Sequence, residues 1–209
     1  MRTETIVRNL YKFDELSDKA KEKARDRYRE SGIHDEWWDS VYEDAEEIAK
    51  LLGIEIRQLP IKTLGGKIRY EPAIYFRGFS SQGNGACFEG TYRYRKGSVA
   101  AIKDYAPQDE TLHRIAKTLQ EEQKKSWYRL SAKITHRGNY CHSYSMDIEV
   151  DSDHPRDFDA EPIRKCMRDF ADWIYERLEE EYDYLNSDEA VDESITANDY
   201  EFTKSGELA

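Results

Sequence analysis

No apolar run in this chain approaches the roughly 20 residues needed to cross a bilayer as a helix, so a helical membrane span is not expected. Cysteine is scarce. Cys87, Cys141 and Cys166 are odd in number and far apart, which argues against a disulfide framework and fits a reducing compartment. The stretch Met1 to Val7 lacks the basic-then-apolar pattern of a signal peptide, and the expected location is the cytoplasm. Phosphate-binding and hydrolase signatures are missing as well: there is no Gly-x-x-x-x-Gly-Lys loop and no Gly-x-Ser-x-Gly turn. Gly83-Asn84-Gly85 opens a dinucleotide fingerprint, but Phe88 stands where the third glycine belongs and strand residues follow.

What is present suits a folded chain: 209 residues, 38% apolar and 12% aromatic, suffice for a core. Thr5 to Phe13 reads as an opening strand. Ser17 then caps a helix with Ala20, Ala24 and Tyr28 on its inner face. A second helix spans Asp35 to Leu52 and stops at Gly53. Strands follow over Ile54–Leu59, Lys67–Phe79 and Ala86–Arg95, the last two joined by a polar hairpin. Asp109 caps a helix that ends near Lys125. A long helix begins after Asp159, with Pro162 in its first turn and Ile163, Met167, Phe170, Ile174 and Leu178 as its buried stripe, and runs to about Leu185. A short helix over Asp188–Ala197 and a closing strand over Tyr200–Thr203 complete the chain. The pattern predicts one α+β domain over 1–209, with a mainly antiparallel sheet of about five to seven strands and three to four packing helices. No internal repeat or linker divides it.

Period two is clearest where Tyr128, Leu130, Ala132, Ile134 and His136 alternate with polar neighbours, followed by Tyr140, His142, Tyr144, Met146, Ile148 and Val150. A three-residue turn, Arg137-Gly138-Asn139, would set His136 opposite Tyr140 and Ile134 opposite His142. In that register Cys141 points away from both histidines. The cluster His136, Cys141, His142 then does not converge as a tetrahedral set. His136 and His142 remain neighbours on one face and could share an ion with a third ligand, but core or rim histidines are the commoner case, and neither a metal nor any other cofactor is expected.

Two other candidate sites arise from the residues. One is a ligand site on the hairpin, formed by Ser80, Ser81, Gln82, Asn84, Cys87, Glu89 and Arg93. Its weakness as a nucleophile site is that no histidine close in sequence serves Cys87 as a base. The other follows from charge. Residues 151–209 hold 19 acidic against 6 basic side chains, a net of −13, whereas the first 150 residues net +2. On the long helix Asp169, Asp172, Glu176, Glu179, Glu180 and Asp183 recur at three- or four-residue spacing. They span about 14 residues, or ~21 Å, close to the rise of about six phosphates. Such a ridge, in an acidic C-terminal section packed on the domain, is a nucleic-acid mimic suited to a basic groove. It would repel DNA itself. A plainer reading is a solvated helix face. Trp37, Tyr92, Tyr94, Trp127 and Tyr140, near Arg93, Arg95, Lys96 and Arg129, offer interface anchors or a base-stacking face, so RNA remains a partner to consider.

The stretches Phe13 to Ala24 (FDELSDKAKEKA), Gly78 to Gly90 (GFSSQGNGACFEG) and Tyr200 to Thr203 (YEFT) resemble a family of uncharacterised phage and prophage proteins, some labelled antitoxins of toxin–antitoxin systems. The resemblance implies an accessory protein of a mobile element. Combined with the acidic section, the expected function is a non-enzymatic, anti-defence or antitoxin-like inhibitor that binds a host or competing-element protein with a basic groove. The alternative is a ligand-, nucleotide- or RNA-binding module centred on Ser80 to Glu89.

Overall fold

A computed structural model describes residues 9–31, 36–63, 65–81, 83–153 and 158–209. In chain order the elements are β1 (Tyr11–Lys12), α1 (Asp18–Glu30), α2 (Asp39–Leu52), β2 (Ile54–Ile56), β3 (Gln58–Lys62), β4 (Ile68–Pro72), β5 (Ile74–Arg77), β6 (Gly85–Phe88) and β7 (Gly90–Arg93). Then come α3 (Ser98–Tyr105), α4 (Glu110–Lys125), β8 (Leu130–His136), β9 (Met146–Ser152), α5 (Glu161–Leu185), α6 (Asp188–Ala197) and β10 (Glu201–Phe202). This is an α+β chain in which every strand pair is antiparallel. Strands are more numerous and shorter than expected, because the long runs break at Arg57, Ala73 and Glu89 and pass from one sheet to another. An additional helix, α3, follows Gly97; it is short and buries just Ser98 and Ile102, too few inward positions to show a helical period.

Two compact units result, 1–37 with 180–209, and 38–179. In the first, Phe13, Leu16, Ala20, Ala24, Val191, Ile195 and Phe202 form the core. Ser17 occupies the cap position of α1 in extended conformation, but its side chain makes no capping hydrogen bond. Arg25 grips Asp192 with Nε and Nη2, both at 2.6 Å, tying α1 to α6. β1 pairs with β10, so the closing strand covers the opening one; the part of the expected first strand before residue 9 lies outside the described residues.

In the larger unit β2, β7, β8 and β9 make one sheet in that order. Alternation sets its faces. Ile54, Ile56, Tyr92, Ala132, Ile134 and Ile148 are buried, while Glu55, Thr91, Arg93, Lys133 and Glu149 stand in solvent. Tyr92 is therefore a core residue, and not part of an aromatic binding face: its hydroxyl accepts from the Gln123 amide at 3.3 Å. The long helix has the expected stripe, with Ile163, Met167, Phe170, Ile174 and Leu178 all buried, and the Asp159 carboxylate accepts from the Glu161 amide at 3.0 Å. Phe170 meets Phe88 of β6 edge-on, the ring centroids 5.6 Å apart. The back of the hairpin that carries Cys87 is thereby fixed to α5.

Candidate functional site

The expected register of the β8 hairpin is wrong. His136 pairs with Met146 and Ile134 with Ile148, so the strands are joined by all of 137–145 and not by Arg137-Gly138-Asn139 alone. The reason is burial. Met146 and Ile148 are inside, whereas Tyr140 and Tyr144, which continue the period-two pattern, are 69% and 74% exposed. A 3-10 turn over Ser143–Ser145 follows His142, whose Nδ1 accepts from the Tyr144 amide at 3.1 Å.

This longer connection folds over β6. Arg77 donates to the Asn139 carbonyl at 3.2 Å. A Cβ on Gly85 would lie 3.1 Å from both the Cys141 oxygen and the His142 Cα, so the absence of a side chain at Gly85 lets the two backbones approach. Cys87, the next residue but one, is paired with Tyr75 and fully buried. As a result Cys87 Sγ, Cys141 Sγ and a ring nitrogen of His136 all lie within 4.8 Å of one another. The inference that Cys141 must face away from the histidines fails with the register on which it stood. So does the view that no histidine serves Cys87, since His136 arrives from 49 positions along the chain by folding rather than by sequence proximity.

Electrostatics at the seam are set by burial. Desolvation pushes the Cys87 thiol up to about 12; the adjacent Cys141 adds to the rise, while a hydrogen bond with Ser145 opposes it. Burial likewise raises the Tyr42 hydroxyl, which donates to the Ile74 carbonyl at 3.1 Å and lies in the field of both cysteines. His136 Nε2–H donates to the Tyr140 carbonyl at 2.8 Å, so in the neutral ring Nδ1 carries the lone pair. Its ring also rests against Tyr75, 5.4 Å between centroids. Ser143 is 1% exposed, and its Oγ has no hydrogen-bond partner among the described residues. A thiol held this high is a poor nucleophile at neutral pH. What the seam offers is donors.

The remaining hairpin residues do not converge with these. Asn84, with its amide turned to satisfy its neighbours, donates to the Arg77 carbonyl and accepts from the Ser81 amide, each at 3.0 Å, and accepts from the Ser80 amide at 3.3 Å. Ser80, Ser81 and Asn84 thus close the turn itself. Gln82 lies outside the described residues. Glu89 binds Arg57 at 2.7 Å. Arg93 is exposed on β7, in a different sheet from β6.

On α5, Asp169 is 17% exposed and held by Arg114 at 2.8 Å and Lys165 at 2.7 Å. Asp172, Glu176, Glu180 and Asp183 are exposed and Glu179 is half-buried. The outward acidic row therefore starts at Asp172. Among the expected aromatic anchors Trp127 and Tyr140 are exposed, Tyr94 lies against Tyr128 with centroids 4.5 Å apart and the rings tilted by 39°, and Trp37 contacts Tyr182. No helix among the described residues is long and apolar enough to cross a membrane.

Neither a curated protein nor a solved structure matches the chain. A family model described as a domain of unknown function, DUF8835, matches residues 37–188. That span takes in the whole 38–179 unit, and with it Cys87, His136, Cys141 and Ser143. It covers well over half of the sequence, and the chain belongs to the DUF8835 family.

Proposed function

We propose that the chain is a ligand-binding module whose site is the seam between β6 and the 137–145 connection. The carrying observation is the convergence of Cys87, His136 and Cys141 within 4.8 Å, from segments brought together by the fold. A few polar side chains converging from separate segments are the arrangement that small-ligand sites use. Ser143, with its buried hydroxyl, lies in the same connection.

Thermal-shift measurement against metal ions, nucleotides and short RNA tests the reading, using the parent and Gly85→Ala. A ligand at 100 times its dissociation constant adds about 2.7 kcal/mol, roughly 5–10 °C for a chain of this size. At least one ligand class is expected to produce such a shift in the parent. In Gly85→Ala the shift shrinks, because the new Cβ presses on Cys141 and His142. Equal shifts in both proteins would place the ligand elsewhere.

A second reading is favoured by Asp172 and Glu176, exposed one turn apart on α5: an inhibitor of phage or prophage origin that covers the basic groove of a host nucleic-acid-handling or defence factor. Charge-steered association weakens with salt. Capture of a basic partner from host extract at low salt, and its loss in Asp172→Asn/Glu176→Gln, is the expected result. Retention by the double variant removes this reading.

A further inference from the structure

Building on the seam as the binding site, we propose that Cys87, His136 and Cys141 hold a thiophilic divalent cation of the zinc class through two thiolates and one imidazole, with a fourth position taken by solvent or a substrate atom. Tetrahedral zinc, with bonds of about 2.3 Å to sulfur and 2.0–2.1 Å to nitrogen, needs its ligands about 3.5–3.8 Å apart. The three donor atoms already lie within 4.8 Å of one another. The contraction required is on the order of 1 Å, and two of the three ligands border or lie within the 137–145 connection rather than deep in the sheet.

The surroundings suit the ion. Two sulfurs and an imidazole select zinc-like ions over magnesium or calcium, which take oxygen ligands. The hydrogen bond from His136 Nε2–H to the Tyr140 carbonyl orients the ring and leaves Nδ1 as the lone-pair donor, the usual arrangement for a metal-bound histidine. Cys87 is fully buried, while His136 and Cys141 are half-buried and give the ion a way in. The protonated thiol that burial enforces is no obstacle, because a bound dication takes the place of the proton on sulfur. Ser143, two residues after Cys141, buries a hydroxyl that has no partner among the described residues.

Cobalt(II) and zinc(II) titration of the full chain, reduced with a phosphine and stripped by chelator, tests the site. One cobalt per chain is expected, with the visible bands of a tetrahedral centre and the near-ultraviolet charge-transfer band of cobalt–thiolate bonds, both displaced by zinc. Cys87→Ser and Cys141→Ser each lose thiolate intensity and weaken zinc by on the order of 100-fold or more; His136→Ala weakens it without removing the thiolate band. Cys166→Ala, in α5 with Sγ 4.0 Å from the Ile115 carbonyl, leaves the spectrum unchanged. Circular dichroism of the apo variants confirms that they are folded.

A blank cobalt spectrum in the folded parent, or an undiminished one in the Cys87→Ser/Cys141→Ser double variant, overturns the metal site. If the spectrum is blank but a nucleotide or RNA stabilises the parent and not Gly85→Ala, the metal inference falls and the seam remains the binding site. If no ligand class registers in either assay, both fall.

Discussion

Phe170→Ala should cost about 3–5 kcal/mol of stability, the range for emptying a fully buried phenylalanine site. Phe170 is 0% exposed; it meets Phe88 edge-on at 5.6 Å and stacks on Trp173 with centroids 5.9 Å apart, 9° from parallel. Removing the ring forfeits its own burial and leaves two aromatic partners facing a void. Helix formation should survive, because alanine is the better helix former and the stripe retains Ile163, Met167, Ile174 and Leu178. Amide hydrogen exchange in β7 and β8 is the suitable readout, since central strands exchange through the opening of the whole packed unit. Protection there should fall by a factor of roughly 10² to 10³ or more. A loss below about 1 kcal/mol would mean that α5 does not pack on β6 as described. Phe170→Leu, which keeps most of the volume, should cost clearly less.

The same residue shows what was legible in advance. Apolar side chains at three- and four-residue spacing from Ile163 to Leu178 admit one stable solution, a helix with one face inside, and α5 and α6 sit where the sequence puts them. Asp109, too, accepts from the Leu112 amide at 2.9 Å, as its place before an apolar-periodic run implies. The 137–145 connection was not legible, for a physical reason. Alternation says that a segment is extended, but it does not say which of its residues face a neighbouring strand. Tyr140, His142 and Tyr144 alternate as well as Met146, Ile148 and Val150 do. The choice is made by the free energy of burying Met146 and Ile148, and with it the fate of Cys141 is decided. The acidic row has a similar limit. Lys165 was visible four residues before Asp169, but Arg114 reaches that carboxylate from α4, a contact that no local spacing announces.

Gln123 is the clearest residue that periodicity could not assign, and it carries the other large expected effect. It falls on the inner face of α4 after Leu112, Ile115, Ala116 and Leu119, where a polar side chain looks misplaced, and it is 0% exposed. The fold uses its amide as a piece of strand. Past the last β7–β8 pair, Arg93 with Ser131, the Gln123 Nε2 donates to the Leu130 carbonyl at 2.8 Å, and Oε1 accepts from the Leu130 amide at 3.2 Å. Gln123→Ala strips the partners from the buried Leu130 N–H and C=O and one from the Tyr92 hydroxyl. At about 1–3 kcal/mol for each buried polar group left unpaired, with partial relief from entering water, the expected cost is about 2–5 kcal/mol. Gln123→Leu fills the space but cannot answer either polar group, so it should recover little. Gln123→Glu separates the two halves of the interaction: its carboxylate still accepts from the Leu130 amide but repels the carbonyl, and burying the charge adds its own cost. Chemical denaturation should therefore place both alanine and glutamate well below the parent. If leucine were as stable as glutamine, the two hydrogen bonds to Leu130 would contribute nothing net, and packing alone would be holding the start of β8 against the end of α4.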